Sequence, residues 1–141
     1  MRTVNELKQR LQQKGTLTRL LTPDDFASEN QVAAKIAYDH KNDLKPNQTR
    51  RIFHTIKRIE QRTRRKTDDD LLTDKYRLDL TLLSPELAYA VGRDLIPREF
   101  YEVLKLCLHK DKMQTVGDLR RLEQFVSAVV AYQKFYKKVG G

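Results

Sequence analysis

The chain has 141 residues, of which 39% are hydrophobic and 33% are charged, and it carries a formal net charge of +9. This length and apolar content are enough for one hydrophobic core, so we expect residues 1–141 to form a single domain. No apolar run approaches the roughly 18 residues that a membrane span requires. The N-terminus lacks the apolar core of a signal peptide, and one cysteine cannot form an internal disulfide. We therefore expect a cytoplasmic protein with no membrane partner.

Apolar residues recur at helical spacing along the chain. Val4, Leu7 and Leu11 follow an i, i+3, i+7 pattern, and the pattern ends at Gly15. No segment shows the two-residue alternation of a strand. The sequence therefore predicts an all-α protein, a compact bundle of five to seven helices. The predicted helices span approximately residues 2–14, 22–37, 46–66, 67–83, 84–92, 97–108 and 115–135.

Capping residues mark several predicted helix starts. Thr22 precedes Pro23 and two acidic residues, which is typical of a first helical turn. Thr67, followed by three aspartates at 68–70, indicates another start. Thr115 and Asp118 have the spacing of a reciprocal cap and predict the start of the last helix.

The positive charge is concentrated on one predicted helix. Residues 47–66 contain eight Lys and Arg residues and a single acidic residue, Glu60, so they carry seven of the nine excess positive charges. Like charges three and four residues apart destabilise a helix, so a helix with this composition favours a function for the cations. A basic surface of this kind favours nucleic acid as the partner.

A helical projection separates the cations from the apolar residues of this helix. Ile52, Phe53, Ile56 and Ile59 fall on one side. Neighbouring side chains on one helix face are about 5–6 Å apart, which suits contacts with successive phosphates. The opposite side is predicted to form a basic row of Arg51, His54, Arg58 and Arg65, flanked by Arg50, Lys57 and Arg62.

Charge alone leaves alternatives open. An acidic protein or plain solvent could also face the cations, and an arginine row could bind duplex DNA as well as RNA. The segment 39–46 before the basic helix permits a stand-alone DNA-binding regulator of the helix-turn-helix type.

The last predicted helix has a second basic segment. Lys134, Lys137 and Lys138 alternate with Tyr132, Phe135 and Tyr136. Aromatic residues beside basic ones can stack on bases. The alternative is that Tyr132 and Phe135 belong to the core while the lysines complement the end of the helix.

Residue patterns typical of catalysis or metal binding are weak. The three histidines are far apart in sequence, and Cys107 has no metal-ligand partner at short spacing, so we expect it to be buried. The aspartates at 68–70 could bind Mg²⁺, but acids in a first helical turn explain them better. His54 could act in acid–base cleavage of RNA, but a second catalytic group is lacking. We predict no enzyme activity, no metal and no cofactor.

Three ordered segments resemble a known family. Residues 44–53 read LKPNQTRRIF, residues 83–93 read LSPELAYAVGR, and residues 131–136 read AYQKFY. These segments resemble conserved stretches of the small helical subunit of type III-A CRISPR effector complexes, the Csm small subunit. The resemblance covers roughly residues 36–139. Thr49 and Gln133 depart from it, because the family commonly has an aliphatic residue and a histidine there.

The resemblance implies a function. It implies a five-helix core without catalytic activity, present in several copies that stack on one another and on the repeating backbone subunit, together with other subunits of the complex, during antiviral defence. It also implies contact with guide RNA and target RNA. Carried over to this chain, it places Gln48 and Arg50 at the RNA and raises Arg93 as a further contact. Together with the charge pattern, the predicted RNA-binding residues are Lys41, Lys45, Gln48, Arg50, Arg51, His54, Lys57, Arg58, Arg62, Arg65, Arg93, Lys134 and Lys137.

Overall fold

The computed structural model describes residues 3–139, and side chains through Lys137. Over this range it contains helices and no strand, which confirms the all-α prediction. Apart from the single turn α2, the described residues form seven α-helices, within the predicted number. The elements are α1 (Val4–Leu11), α2 (Leu17–Leu20), a 3₁₀ turn (Pro23–Asp25), α3 (Val32–Asp39), α4 (Pro46–Gln61), α5 (Asp74–Thr81), α6 (Leu83–Gly92), α7 (Arg98–Leu108) and α8 (Val116–Val139).

Helices α4 and α8 pack against each other along their lengths in antiparallel orientation. At one end, the Gln133 amide nitrogen donates to the Leu44 carbonyl at 3.0 Å. At the other end, Arg120 lies 3.4 Å from the Glu60 carboxylate. Helix α3 also packs on α8, and buried residues from α1 to α8 form one contiguous apolar cluster. The pairing places the start of α4 beside the end of α8.

The start of α8 follows the predicted cap. The Asp118 backbone N–H donates to the Thr115 hydroxyl at 3.2 Å, and the Thr115 N–H donates to the Asp118 carboxylate at 3.0 Å. The same buried carboxylate also accepts from the backbone of Thr18 at 2.9 Å. Asp118 therefore both caps α8 and holds α2 against it.

The prediction of one helix over residues 22–37 is wrong. The first turn is 3₁₀ and ends at Asp25, and α3 begins only at Val32. The Asp25 carboxylate is buried and forms two hydrogen bonds with the Arg10 guanidinium, at 2.9 and 3.1 Å. Phe26 then packs edge-on against Phe125 of α8. These long-range contacts hold the chain in a bend that local capping residues do not reveal.

The prediction of a helix start at 67–70 is also wrong. The Asp70 carboxylate accepts from the Thr67 backbone and closes a turn. The following backbone pairs with the segment before α8: Leu72 N–H donates to Gln114 O, and Val116 N–H to Asp70 O, both at 2.9 Å. Helix α5 begins only at Asp74. Leu71 is accordingly exposed and does not join the core.

The basic helix α4 is shorter than predicted. It ends at Gln61, five residues before the expected end at 66. The buried Thr63 hydroxyl donates to Glu60 O at 2.6 Å, and the Arg120 guanidinium bonds the carbonyls of Thr63 and Lys66 at 3.0 and 2.8 Å. Arg120 thus satisfies carbonyls that a continuing helix would have used.

Helix α1 ends at Leu11, before the predicted end at 14, and α8 extends to Val139, beyond the predicted 135. The predictions for residues 84–92 and 97–108 agree with the structure. Helices α6 and α7 lie where Ser84–Gly92 and Pro97–Leu108 were predicted. Cys107 is fully buried, as expected. None of the helices in the described part of the chain is both long and apolar enough for a membrane crossing.

Candidate nucleic-acid interface

Helix α4 presents its two sides as the projection predicts. Ile52, Ile56 and Ile59 are buried in the core. Arg51, His54 and Arg58 of the basic row are exposed on the other side. Arg65, the fourth member, is also exposed but lies beyond the end of α4, so helical spacing does not apply to it. Three of the four therefore share one helix face.

Local contacts hold the start of α4 in place. Lys45 is the N-cap residue, and its side chain makes no capping hydrogen bond; Pro46 occupies the first turn. The Lys45 backbone N–H donates to Leu95 O at 2.9 Å, which ties this end to the segment after α6. The buried Thr49 hydroxyl bonds back to Lys45 O at 3.2 Å. Thr49, which stands where the family commonly has an aliphatic residue, therefore makes a hydrogen bond within the helix.

A groove of about 910 Å³ lies between the start of α4 and the last turns of α8. It contains six of the predicted RNA-binding residues, contributed by two helices far apart in sequence. Its polar side chains are mostly cationic, as an anion-binding surface requires. The lining residues are Lys45, Pro46, Asn47, Gln48, Arg50, Arg51, Leu95, Val130, Gln133, Lys134 and Lys137.

A smaller cavity of about 290 Å³ adjoins this groove and shares Pro46, Gln133 and Lys137 with it. Tyr136 lines it and packs edge-on against Tyr38 of α3, with ring centroids 5.2 Å apart. The Lys41 ammonium lies 4.8 Å from the Tyr38 ring centre. Lys41 and Lys137 therefore stand beside aromatic rings at this smaller cavity.

Phe135 is more exposed than a core residue, with 39% of its surface accessible. Tyr132 is half-buried and lies edge-on to Phe135 at 6.3 Å. The interpretation that Phe135 belongs to the core is therefore wrong. The aromatic residues of this end form a cluster at the surface, with Tyr132, Phe135 and Tyr136 in mutual contact.

Gln133 also lines the groove, but it is uncharged, so the charge pattern of the sequence did not identify it. Its side chain is buried, and its amide nitrogen bonds Leu44 O, which fixes which end of the amide is oxygen. The amide oxygen is buried without a hydrogen-bond partner in the described part of the chain. Helical spacing from Val126 and Val129 could have placed Gln133 on the buried face.

The C-terminal end of α4 is less available for phosphate than its sequence suggests. Arg62 pairs with Asp79 of α5 and lies 5.4 Å from the centre of the Tyr76 ring. Arg64 pairs with the buried Glu60 at 3.4 Å. A further cavity of about 490 Å³ between α4 and α5 contains Arg58 and Arg62. Asp79 comes from α5, so composition along α4 could not reveal it, whereas Glu60 is the acidic residue of α4 itself.

Seven of the thirteen predicted RNA-binding residues do not line the groove, and Lys57 and Arg93 are two of them. The Lys57 ammonium is 5.4 Å from the Phe53 ring centre, on the side of α4 that joins the core. Arg93, at the end of α6, donates to the Tyr89 hydroxyl at 2.8 Å and is exposed. The structure does not bring Arg93 into the groove with Gln48 and Arg50.

Several titratable side chains outside the groove are paired or buried within the fold. Asp68 pairs with Arg120, and not with the arginines just before it in sequence. Burial and the nearby Glu60 raise the pKa of Glu123, an effect opposed by Lys57 and other cations. Burial raises the pKa of the Cys107 thiol to about 12. Among the described residues, no group of three His, Cys, Asp or Glu side chains could hold a metal ion.

Comparison with known families decides the identity. Residues 24–139 match the model of the Csm2 Type III-A family. The chain belongs to the Csm2 family. The match contains all three segments that resembled the small subunit, and it extends the similarity toward the N-terminus as far as residue 24. Searches of curated proteins and of solved structures gave no match.

Membership of the Csm2 family makes this chain a subunit of a type III-A CRISPR effector complex, which contains several subunits. The helix-turn-helix alternative finds no support. Six residues separate α3 from α4, against the three or four typical of that motif, and α3 packs on α8.

Proposed function

We propose that this Csm2 subunit holds RNA in the effector complex through its backbone, without reading its sequence. The proposed surface joins the exposed basic row on α4 to the groove beside α8. Guide and target strands read each other by base pairing, so the protein needs contacts with phosphates and not with base edges. In this proposal, the RNA-binding residues carried over from the family are Gln48 and Arg50.

The observation that carries the proposal concerns the exposure and the pairing of Arg51 and Arg58. Both are exposed on one face of α4, and neither forms an ion pair in the described part of the chain. The neighbouring Arg62 and Arg64, by contrast, have acidic partners. Unpaired arginines on a rigid helix are suited to phosphate, because the guanidinium can make two parallel hydrogen bonds to it.

Other parts of the proposal rest on the family. We propose a non-catalytic, cytoplasmic subunit that works as one domain, stacks in several copies, and packs against the repeating backbone subunit. A single copy offers few phosphate contacts, so stacking would supply avidity along the strand.

A charge-reversal variant tests the RNA contact. Arg51→Glu combined with Arg58→Glu should weaken binding of single-stranded RNA roughly tenfold or more, because two contacts become repulsions. Fluorescence anisotropy with a labelled RNA of arbitrary sequence measures the affinity. Circular dichroism should show unchanged helicity, because both side chains are exposed.

The matched control reverses two exposed lysines elsewhere, Lys14→Glu with Lys110→Glu. This variant loses the same net charge, so any general effect of charge is equal in the two proteins. We expect the control to bind RNA close to wild type. Equal affinities for the two variants would show that Arg51 and Arg58 make no specific contact, and would overturn the proposal.

A further inference from the structure

We propose that the groove between α4 and α8 binds one unpaired nucleotide, with its phosphate at the start of α4 and its base against Gln133. This inference rests on the proposed RNA contact and goes beyond it, because it assigns a base-binding site to a surface otherwise suited to the backbone alone. The ligand class is a nucleotide of a single strand.

The first observation is the buried amide of Gln133. Its nitrogen donates a hydrogen bond to Leu44 O, and its oxygen is buried with no partner in the described part of the chain. An unpaired buried acceptor is costly and is rarely left so in a folded protein. Gln133 lines both the groove and the adjoining cavity, and because the oxygen itself has almost no accessible surface, a ligand in either one reaches it only after the side chain shifts. Each of the four RNA bases carries an N–H donor on its pairing edge: a ring N–H in uracil and guanine, and an amino group in adenine, cytosine and guanine.

The second observation is the set of cations around the opening. Arg51, Lys134 and Lys137 are exposed and line the groove. Lys45, the N-cap of α4, has no side-chain hydrogen bond to the first turn, so this end of a 16-residue helix presents its positive dipole without a capping side chain. A phosphate at the rim would lie at this helix end and among the lysines of α8.

The third observation is the aromatic wall beside Gln133. Tyr136 lines the smaller cavity and is held edge-on by Tyr38. An aromatic ring beside a basic rim is the arrangement that single-strand binding proteins use for bases. The cavity volumes, about 910 and 290 Å³, are those of ligand sites in general. Polar acceptor, aromatic wall and cationic rim thus meet in one place.

The experiment compares two strands and two proteins. The strands are a 12-nucleotide oligouridylate and an abasic ribose-phosphate strand of equal length, so they share a backbone and differ only in bases. The full-length wild type should bind oligouridylate roughly tenfold more tightly, the range of one base contact on an aromatic ring. Gln133→Met should weaken oligouridylate binding about fivefold, the size of one buried hydrogen bond, and leave abasic binding unchanged.

The abasic strand separates a base contact from a structural role. If Gln133 serves only to hold Leu44, Gln133→Met will weaken the binding of both strands alike, and the inference is overturned. Tyr136→Leu provides a second test that leaves the amide in place, and it too should reduce only the preference for oligouridylate. Equal binding of both strands by wild type overturns the base site while the backbone contact stands. Failure to bind either strand overturns both.

Discussion

His40 joins two elements of the fold through both of its ring nitrogens. Its Nε2 lies 2.5 Å from the Glu99 carboxylate of α7, and its Nδ1 lies 3.1 Å from that of Asp43. Burial disfavours the charged ring, but the hydrogen bonds and charges of Glu99 and Asp43 outweigh it and raise the pKa of His40. The segment before α4 is therefore fastened to α7 most strongly when His40 is protonated.

We expect this contact to make stability depend on pH. The folded pKa of His40 lies above the ordinary 6.5, so its contribution is complete below pH 6.5 and is lost as the pH rises through the folded pKa. Urea unfolding at a series of pH values should show a falling free energy of unfolding over that window. His40→Gln should flatten this part of the profile.

His109→Gln is the matched control, since His109 is exposed and its one ion contact, with Asp111, is 3.6 Å long. Its profile should keep the wild-type slope. A slope that survived in His40→Gln would assign the pH dependence to another group.

At the scale of whole elements, local signals predicted some helices well. The reciprocal cap of Thr115 and Asp118 and the prolines near the starts of α4, α6 and α7 act within one turn, so they can be read from a few residues. The signals at residues 22–25 and 67–70 are of the same kind and were misleading. There Asp25 pairs with Arg10, and the 68–72 backbone pairs with residues 114–117.

The same limit applies to the candidate site. Helical periodicity correctly placed Arg51 and Arg58 on the exposed face. It could not show that Arg62 meets Asp79, or that Gln133 and Lys137 lie beside the start of α4, because these juxtapositions arise from helix packing.

Gly117 allows a close approach between the start of α8 and the backbone of Asp68. Its N–H donates to Asp68 O at 2.9 Å, and a Cβ there would lie 3.1 Å from both the oxygen and the Cβ of Asp68. The Asp68 oxygen is a backbone atom held by the Gly117 N–H, so it has little room to move away, and we expect Gly117→Ala to lower the free energy of unfolding by about 1–3 kcal/mol, as overpacking does. Thermal unfolding followed by circular dichroism measures the effect.

Gly92→Ala is the control for this prediction. Gly92 also lies in a helix, but a Cβ there would have no neighbour within 4 Å. Its stability should match or slightly exceed that of wild type, because alanine favours helix more than glycine does. A similar loss in both variants would point to backbone flexibility and not to the contact with Asp68.

For the whole molecule, the distribution of charge sets how binding responds to salt. Seven of the nine excess positive charges lie on residues 47–66, and α8 brings Lys134 and Lys137 to the same side. If about six phosphates are contacted, the slope of log affinity against log salt is roughly −4 for a single strand.

We therefore expect RNA affinity to fall a few hundredfold between 50 and 200 mM salt, within the range of such contacts. Anisotropy titrations at several salt concentrations give the slope directly. A slope near zero would mean that phosphates contribute little to binding. Arg51→Glu with Arg58→Glu should make the slope shallower by the amount that about two phosphate contacts contribute.

The buried thiol of Cys107 gives the molecule an internal reporter. It is the single cysteine of the chain, it is fully inaccessible, and burial raises its pKa to about 12. A thiol-specific reagent needs an accessible thiolate, so its reaction with this protein requires the core to open. The rate of alkylation thus counts opening events, and comparing the free chain with the assembled complex would measure how far assembly suppresses them.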